Sequence, residues 1–211
     1  MTRDPDSFLA ADFPDALLKI RERTPARIFS GRAGAAYRTF TQLELREAHA
    51  AARDAVRENL DLQTAFGEAF IKKWNLFEVR TEVRSKEDYL LQPDLGRRLN
   101  ESSRQELVSH CLRESDIQIA IGDGLSVTAV AAQVPALLPL LDDGARARGW
   151  TVGNPFVIRH CRVGILNEIG ELLAPKVAVL LIGERPGLAT VESLSAYMAY
   201  QPREIGWHNQ M

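Results

Sequence analysis

Three short runs of β-branched and aliphatic residues limit this chain more than anything else in it. Ile117-Gln-Ile-Ala-Ile121, Pro155-Phe-Val-Ile158 and Val177-Ala-Val-Leu-Leu-Ile182 are too short to cross a bilayer and are separated by stretches of helical character. Strands covered on both faces have such near-continuous apolar sequences, and strands alternating with helices build a parallel sheet. After the first run, Gly122-Asp-Gly-Leu-Ser126 leads into an Ala/Val helix containing a Pro-Ala-Leu-Leu segment. Gly164 to Leu173 supplies a second helix, between the second and third strands.

The first half has a different pattern. Phe13, Ala16, Leu17 and Ile20 recur at three- and four-residue spacing, which predicts a helix from Phe13 to about Arg23. Thr24-Pro25 ends it, because proline disfavours helical backbone in the residue before it. Ala26 to Arg38 carries Gly and Arg and predicts a loop or turn. Phe40 to Leu60, rich in Ala, Glu and Arg, predicts a long helix. Phe77 to Arg84 alternates in polarity, with strand or helix-edge character, and Pro93-Asp94 opens a further helix running towards Leu107. The fold class is α/β: a mainly helical N-terminal region (residues 1–103) followed by a Rossmann-like parallel sheet flanked by helices (residues 104–211).

Bulk properties exclude several classes. Apolar residues at 45% and charged residues at 26% are ordinary for a globular chain. A net charge of −2 provides no field for nucleic acid or anionic membrane, and Arg clusters of this kind usually form solvated faces. Residues 1–10 are acidic and lack the apolar core of a signal peptide. Cys111 and Cys161 have neither CxxC nor Cys/His spacing, so free thiols in a cytoplasmic setting are expected, with no metal site. The four histidines are isolated, with no nucleophile–base pattern, so no catalytic residue is assigned.

Ligands of open parallel sheets sit beyond the carboxyl ends of the strands. Gly122 to Ser126 occupies such a place, yet it lacks the GxGxxG fingerprint and a ribose-binding acid. It is either a tight strand-to-helix turn or a binding loop. Gly183-Glu-Arg-Pro-Gly-Leu188 puts Glu184 and Arg185 at the same edge, where they either pair, cap a helix or bind. Glu192, Ser193 and Ser195 suit a helix start.

Several segments, taken in order, carry a resemblance. They are Thr24-Pro-Ala-Arg-Ile28, Gly31-Arg-Ala-Gly34, Tyr89-Leu-Leu-Gln-Pro-Asp-Leu-Gly-Arg-Arg-Leu99, Asp123-Gly-Leu-Ser126, Val152-Gly-Asn-Pro-Phe156, Arg162-Val163, Gly183-Glu-Arg-Pro-Gly-Leu188 and Glu192-Ser-Leu-Ser195. Together they resemble the small (light) subunit of ethanolamine ammonia-lyase, from about Thr24 to Pro202. The resemblance implies a lyase assembly that converts ethanolamine to acetaldehyde and ammonia with adenosylcobalamin. In that assembly a TIM-barrel large subunit holds the substrate and the reacting groups. The light subunit is then non-catalytic and covers the cobalamin at the subunit interface, with contacts carried over to Val163 and Glu184. The Asp-x-His-x-x-Gly pattern that ligates cobalt through histidine in other cobalamin proteins is absent from the sequence.

Two departures accompany the match. Tyr-Gly, usual before Arg-Val, is replaced by His160-Cys161. Beyond Pro202-Arg203 the sequence runs Glu204 to Met211, where similar chains continue with a further cobalamin contact, so a shortened tail with lowered cofactor affinity is expected. The N-terminal extension linked to bacterial microcompartments is also short, which leaves encapsulation open. Two other readings compete: a nucleotide-binding Rossmann-type enzyme, and an assembly module without cofactor contact.

Overall fold

The computed structural model describes residues 15–23, 32–184 and 192–203. Helix α1 (Asp15–Glu22) is followed by two-residue strands β1 (Arg32–Ala33) and β2 (Ala36–Tyr37), a hairpin in which Arg32 lies over the Tyr37 ring. Helices α2 (Thr39–Arg57) and α3 (Leu62–Trp74) lead into strand β3 (Glu78–Arg80). A short helix α4 (Lys86–Leu91), a 3₁₀ turn (Leu95–Arg97) and helix α5 (Glu101–His110) come before the sheet-forming half. That half runs β4 (Ile117–Gly122), α6 (Val127–Arg146), β5 (Phe156–Arg159), α7 (Ile165–Leu173), β6 (Val177–Gly183) and β7 (Leu194–Tyr200). Thr24-Pro25, the proposed stop of the first helix, lies outside the described residues.

The five-stranded sheet has the order β3-β5-β4-β6-β7. β3, β5, β4 and β6 are parallel, and β7 runs antiparallel along β6 from Leu194 to Tyr200. The expected α/β architecture is present, and the sheet draws its β3 strand from the first half of the chain. Alternation sends Ala120, Phe156, Ile158, Leu180 and Ile182 to one face, against α5 and α7. Ile119, Ile121, Val157, Val179 and Leu181 go to the other, against α6 and residues of α3. Burial on both faces explains why these strands lack a polar side.

Two expectations are corrected. The segment from Glu192 was expected to start a helix, but Leu194–Tyr200 is a strand. Ser195, Tyr197 and Ala199 alternate with Ala196, Met198 and Tyr200, and pairing with the whole of β6 outweighs any local capping tendency. The helix expected from Pro93 begins only at Glu101. Leu99 bridges to Thr81, and the Asn100 side chain accepts from the Ser103 N–H as N-cap, so the chain is extended there before the helix opens.

Candidate functional site

Chain order leaves β4 on one side to form β5 and returns on its other side to form β6. The strand order therefore reverses at β4, and such a reversal opens a crevice beyond the carboxyl ends of the neighbouring strands. A cleft of about 80 Å³ lies there. Its walls come from Gly124 and Leu125 after β4, Arg162 and Val163 after β5, Gly183 and Glu184 ending β6, Tyr197 of β7, and Tyr89 of α4. Both residues carried over by resemblance, Val163 and Glu184, thus face one cleft. Arg185 to Leu188 lie outside the described residues.

The floor depends on close backbone approach. Gly124 has φ +56°, and a Cβ there would run into the Gly183 carbonyl. A Cβ at Gly183 would collide with the Ser126 carbonyl, and the Leu125 N–H donates to the Gly183 oxygen at 2.8 Å. The β4 and β6 ends are therefore locked together. Ser126 caps α6, accepting from the Ala129 N–H at 3.1 Å. Gly122 to Ser126 is consequently a strand-to-helix turn that also supplies part of the cleft wall.

The β5–α7 loop is held from outside itself. Asp123 is buried, and its carboxylate accepts the N–H groups of His160 at 2.8 Å and Cys161 at 2.9 Å. The Tyr89 hydroxyl donates to the Cys161 carbonyl at 2.9 Å, and the Arg162 N–H donates to the Gly96 carbonyl at 2.9 Å. His160 takes up φ 58°, a left-handed conformation that costs a non-glycine residue energy and is maintained by these bonds. His160 and Cys161, which stand where glycine-bearing Tyr-Gly is usual, are accommodated in this way. The Cys161 side chain is fully buried against Gly122, with its thiol pKa pushed well up by burial.

Charge is concentrated beside the Tyr89 ring. The Arg162 guanidinium lies 4.0 Å from its centroid and Lys86 Nζ 4.9 Å. Burial lowers the Lys86 pKa, although Asp123 opposes the shift. Burial raises the Asp123 carboxyl above its usual range in spite of Lys86 and the two N–H donors, and burial likewise keeps His160 below the ordinary histidine value. Across the cleft, half-buried Glu184 accepts the Tyr197 hydroxyl at 2.9 Å, and that bond raises the tyrosine pKa. Among the described residues no group of three or more His, Cys, Asp or Glu is placed to hold a metal ion. No helix among them is long and apolar enough to cross a membrane.

Sequence reasoning singled out Val163 and Glu184 but gave no role to Tyr89, Lys86 or Asp123. Tyr89 and Asp123 do stand inside the distinctive segments, which was the available signal; their contacts join residues 37 to 73 positions apart.

Residues 14–210 match the family model of the ethanolamine ammonia-lyase light chain (EutC). The chain belongs to that family. This light chain is 42% identical over 189 residues to the ethanolamine ammonia-lyase small subunit of Clostridium perfringens, covering 90% of this chain and 62% of that one. It is 43% identical over 187 residues to the small subunit of Fusobacterium nucleatum, covering 89% and 61%. The Clostridium acetobutylicum small subunit is 41% identical over 187 residues, covering 89% and 75%. The light chain thus spans about three-fifths of the length of the first two relatives.

Proposed function

We propose that this light chain is the non-catalytic small subunit of an adenosylcobalamin-dependent ethanolamine ammonia-lyase, and that it forms one wall of the cobalamin site against the large subunit. The observation that carries this reading is the meeting of Val163 and Glu184 in one cleft at the strand-order reversal. That cleft, at about 80 Å³, is far below the roughly 300–1,000 Å³ that encloses a small-molecule ligand. A corrin can only lie across it, so its other face needs a second surface, as a partner barrel would supply. The residues fit such a ligand. Glu184 presents a carboxylate acceptor to corrin amides, which donate from their NH₂ groups. Val163 offers an apolar contact at a position fixed by the Asp123 and Tyr89 bonds next to it.

When bound, adenosylcobalamin supplies the radical by homolysis of its cobalt–carbon bond, and the protein's share is binding, orientation and exclusion of water. On this reading the light chain holds no group that touches the substrate and works in the cytoplasm. Co-expression with a large subunit tests the proposal. The expected result is co-purification with a corrin absorption spectrum after cofactor addition. Glu184→Ala should weaken cobalamin binding by roughly tenfold, the worth of one charge-assisted hydrogen bond. A complex that forms but takes up no corrin would overturn the reading.

A further inference from the structure

Arg162 is a cleft residue whose charge meets no carboxylate among the described residues. Its side-chain hydrogen bond within the described residues runs from a terminal nitrogen to the Tyr89 carbonyl at 2.7 Å. Its Nε is buried with no partner. The ion pairs found among the described residues join other arginines and lysines to carboxylates, none of them to Arg162. The side chain is nevertheless held in place. Its stem lies where a Cβ at Gly96 would have to go, and its guanidinium stacks on the Tyr89 ring at 4.0 Å. Lys86 adds a second cation on the same ring, while Asp123, the acid that acts on Lys86, is committed to the His160 and Cys161 N–H groups.

A half-buried guanidinium in a cleft wall with no carboxylate partner among the described residues is stabilised when an anion meets it. Its planar fork matches the oxygens of a phosphate better than it matches neutral amides. Adenosylcobalamin, the ligand on the reading above, carries amides around its corrin and a single phosphodiester in its nucleotide loop. We infer that Arg162 holds this phosphodiester, while Glu184 on the opposite wall takes amide donors. The cleft is then polarised, with its cationic side on the β5 loop and its anionic side on the β6 end, and this fixes the direction in which the cofactor lies across the sheet edge.

The inference rests on the cobalamin reading, and one pair of ligands separates the two. The complex of this chain with the large subunit is titrated with adenosylcobalamin and with adenosylcobinamide, which lacks the phosphodiester and nucleotide, and binding is followed by the corrin absorption. Arg162→Met should weaken adenosylcobalamin binding by roughly 10- to 100-fold, the range of a charge-assisted hydrogen bond, and leave adenosylcobinamide binding unchanged. Arg162→Lys, which keeps the charge and loses the fork, should recover part of the loss. Equal losses on both corrins, or no loss on either, would overturn the Arg162 assignment alone. If the wild-type complex bound neither corrin, the underlying reading would fall and this one with it. Should Arg162→Met not assemble with the large subunit, the Arg162→Lys complex gives the same comparison between the two ligands.

Discussion

The two ends of the central sheet are built in opposite ways. At the carboxyl end, three buried side chains are committed to main-chain atoms: Asp123 to His160 and Cys161, Tyr89 to Cys161, Ser126 to the start of α6. At the amino end lies an apolar groove of about 1,000 Å³ lined by residues such as Leu140, Trp150, Met198 and Tyr200, all four substantially exposed. The polar groups that line this groove lie towards the surface, as in the Asp116–Lys176 pair at 2.6 Å. Hydrogen bonds aim the groups around the cleft at the first end, whereas the walls of the groove at the second are apolar side chains whose packing tolerates variation. A site needs the former.

This contrast can be broken most directly at Gly183. Gly183→Ala should destabilise the chain by about 3 kcal/mol in urea unfolding, because the new methyl meets two carbonyl oxygens that cannot retreat independently. A cost under about 1 kcal/mol would mean that the carboxyl end is softer than its contacts imply. Tyr89→Phe keeps the ring and removes the hydroxyl, leaving the buried Cys161 carbonyl short of a donor; a loss of about 1–2 kcal/mol is expected. It should also raise amide exchange at His160 to Val163, with no change at the amino end, and uniform exchange would contradict the clamp.

Smaller effects sharpen the other side of the comparison. Met198→Ser removes an apolar group that is 75% exposed, so stability should stay within about 0.5 kcal/mol while binding of an apolar dye falls. Smallest is the acid response of Asp116. Bonds from Lys176 and Thr151 hold its carboxyl at about 2, below its unfolded value. Its contribution is therefore present above the unfolded pKa of about 3.9 and fades as pH falls towards 2. Asp116→Asn should flatten that part of the melting-temperature profile, and an unaltered slope between those pH values would assign the acid loss elsewhere.

Much of the fold was legible because burial on both faces leaves a mark in sequence. β4, β5 and β6 are apolar runs, and α6 and α7 fill the intervals between them with helical periodicity. Where burial is one-sided or absent, the mark fades. β7 has partly exposed residues on both faces, so Glu192, Ser193 and Ser195 at its start suggested a cap. Helix α3 has no fully buried residue and contains Gly67 at φ +73°, and it was not anticipated. The site divides in the same way: the strand-end pattern placed Glu184 at the sheet edge, Val163 came from a resemblance, and the Tyr89–Arg162 stack had no local signal.

The sequence by itself determined the parallel-strand core and the loops that end those strands, since strand burial and turn chemistry are written in neighbouring residues. Only the tertiary structure decided that β7 is a strand, that Asp123 and Tyr89 clamp the loop after β5, and that Val163, Arg162 and Glu184 line one cleft. Those outcomes depend on hydrogen bonds and close approaches between segments dozens of residues apart, and no local pattern encodes which distant carbonyl a buried side chain will reach.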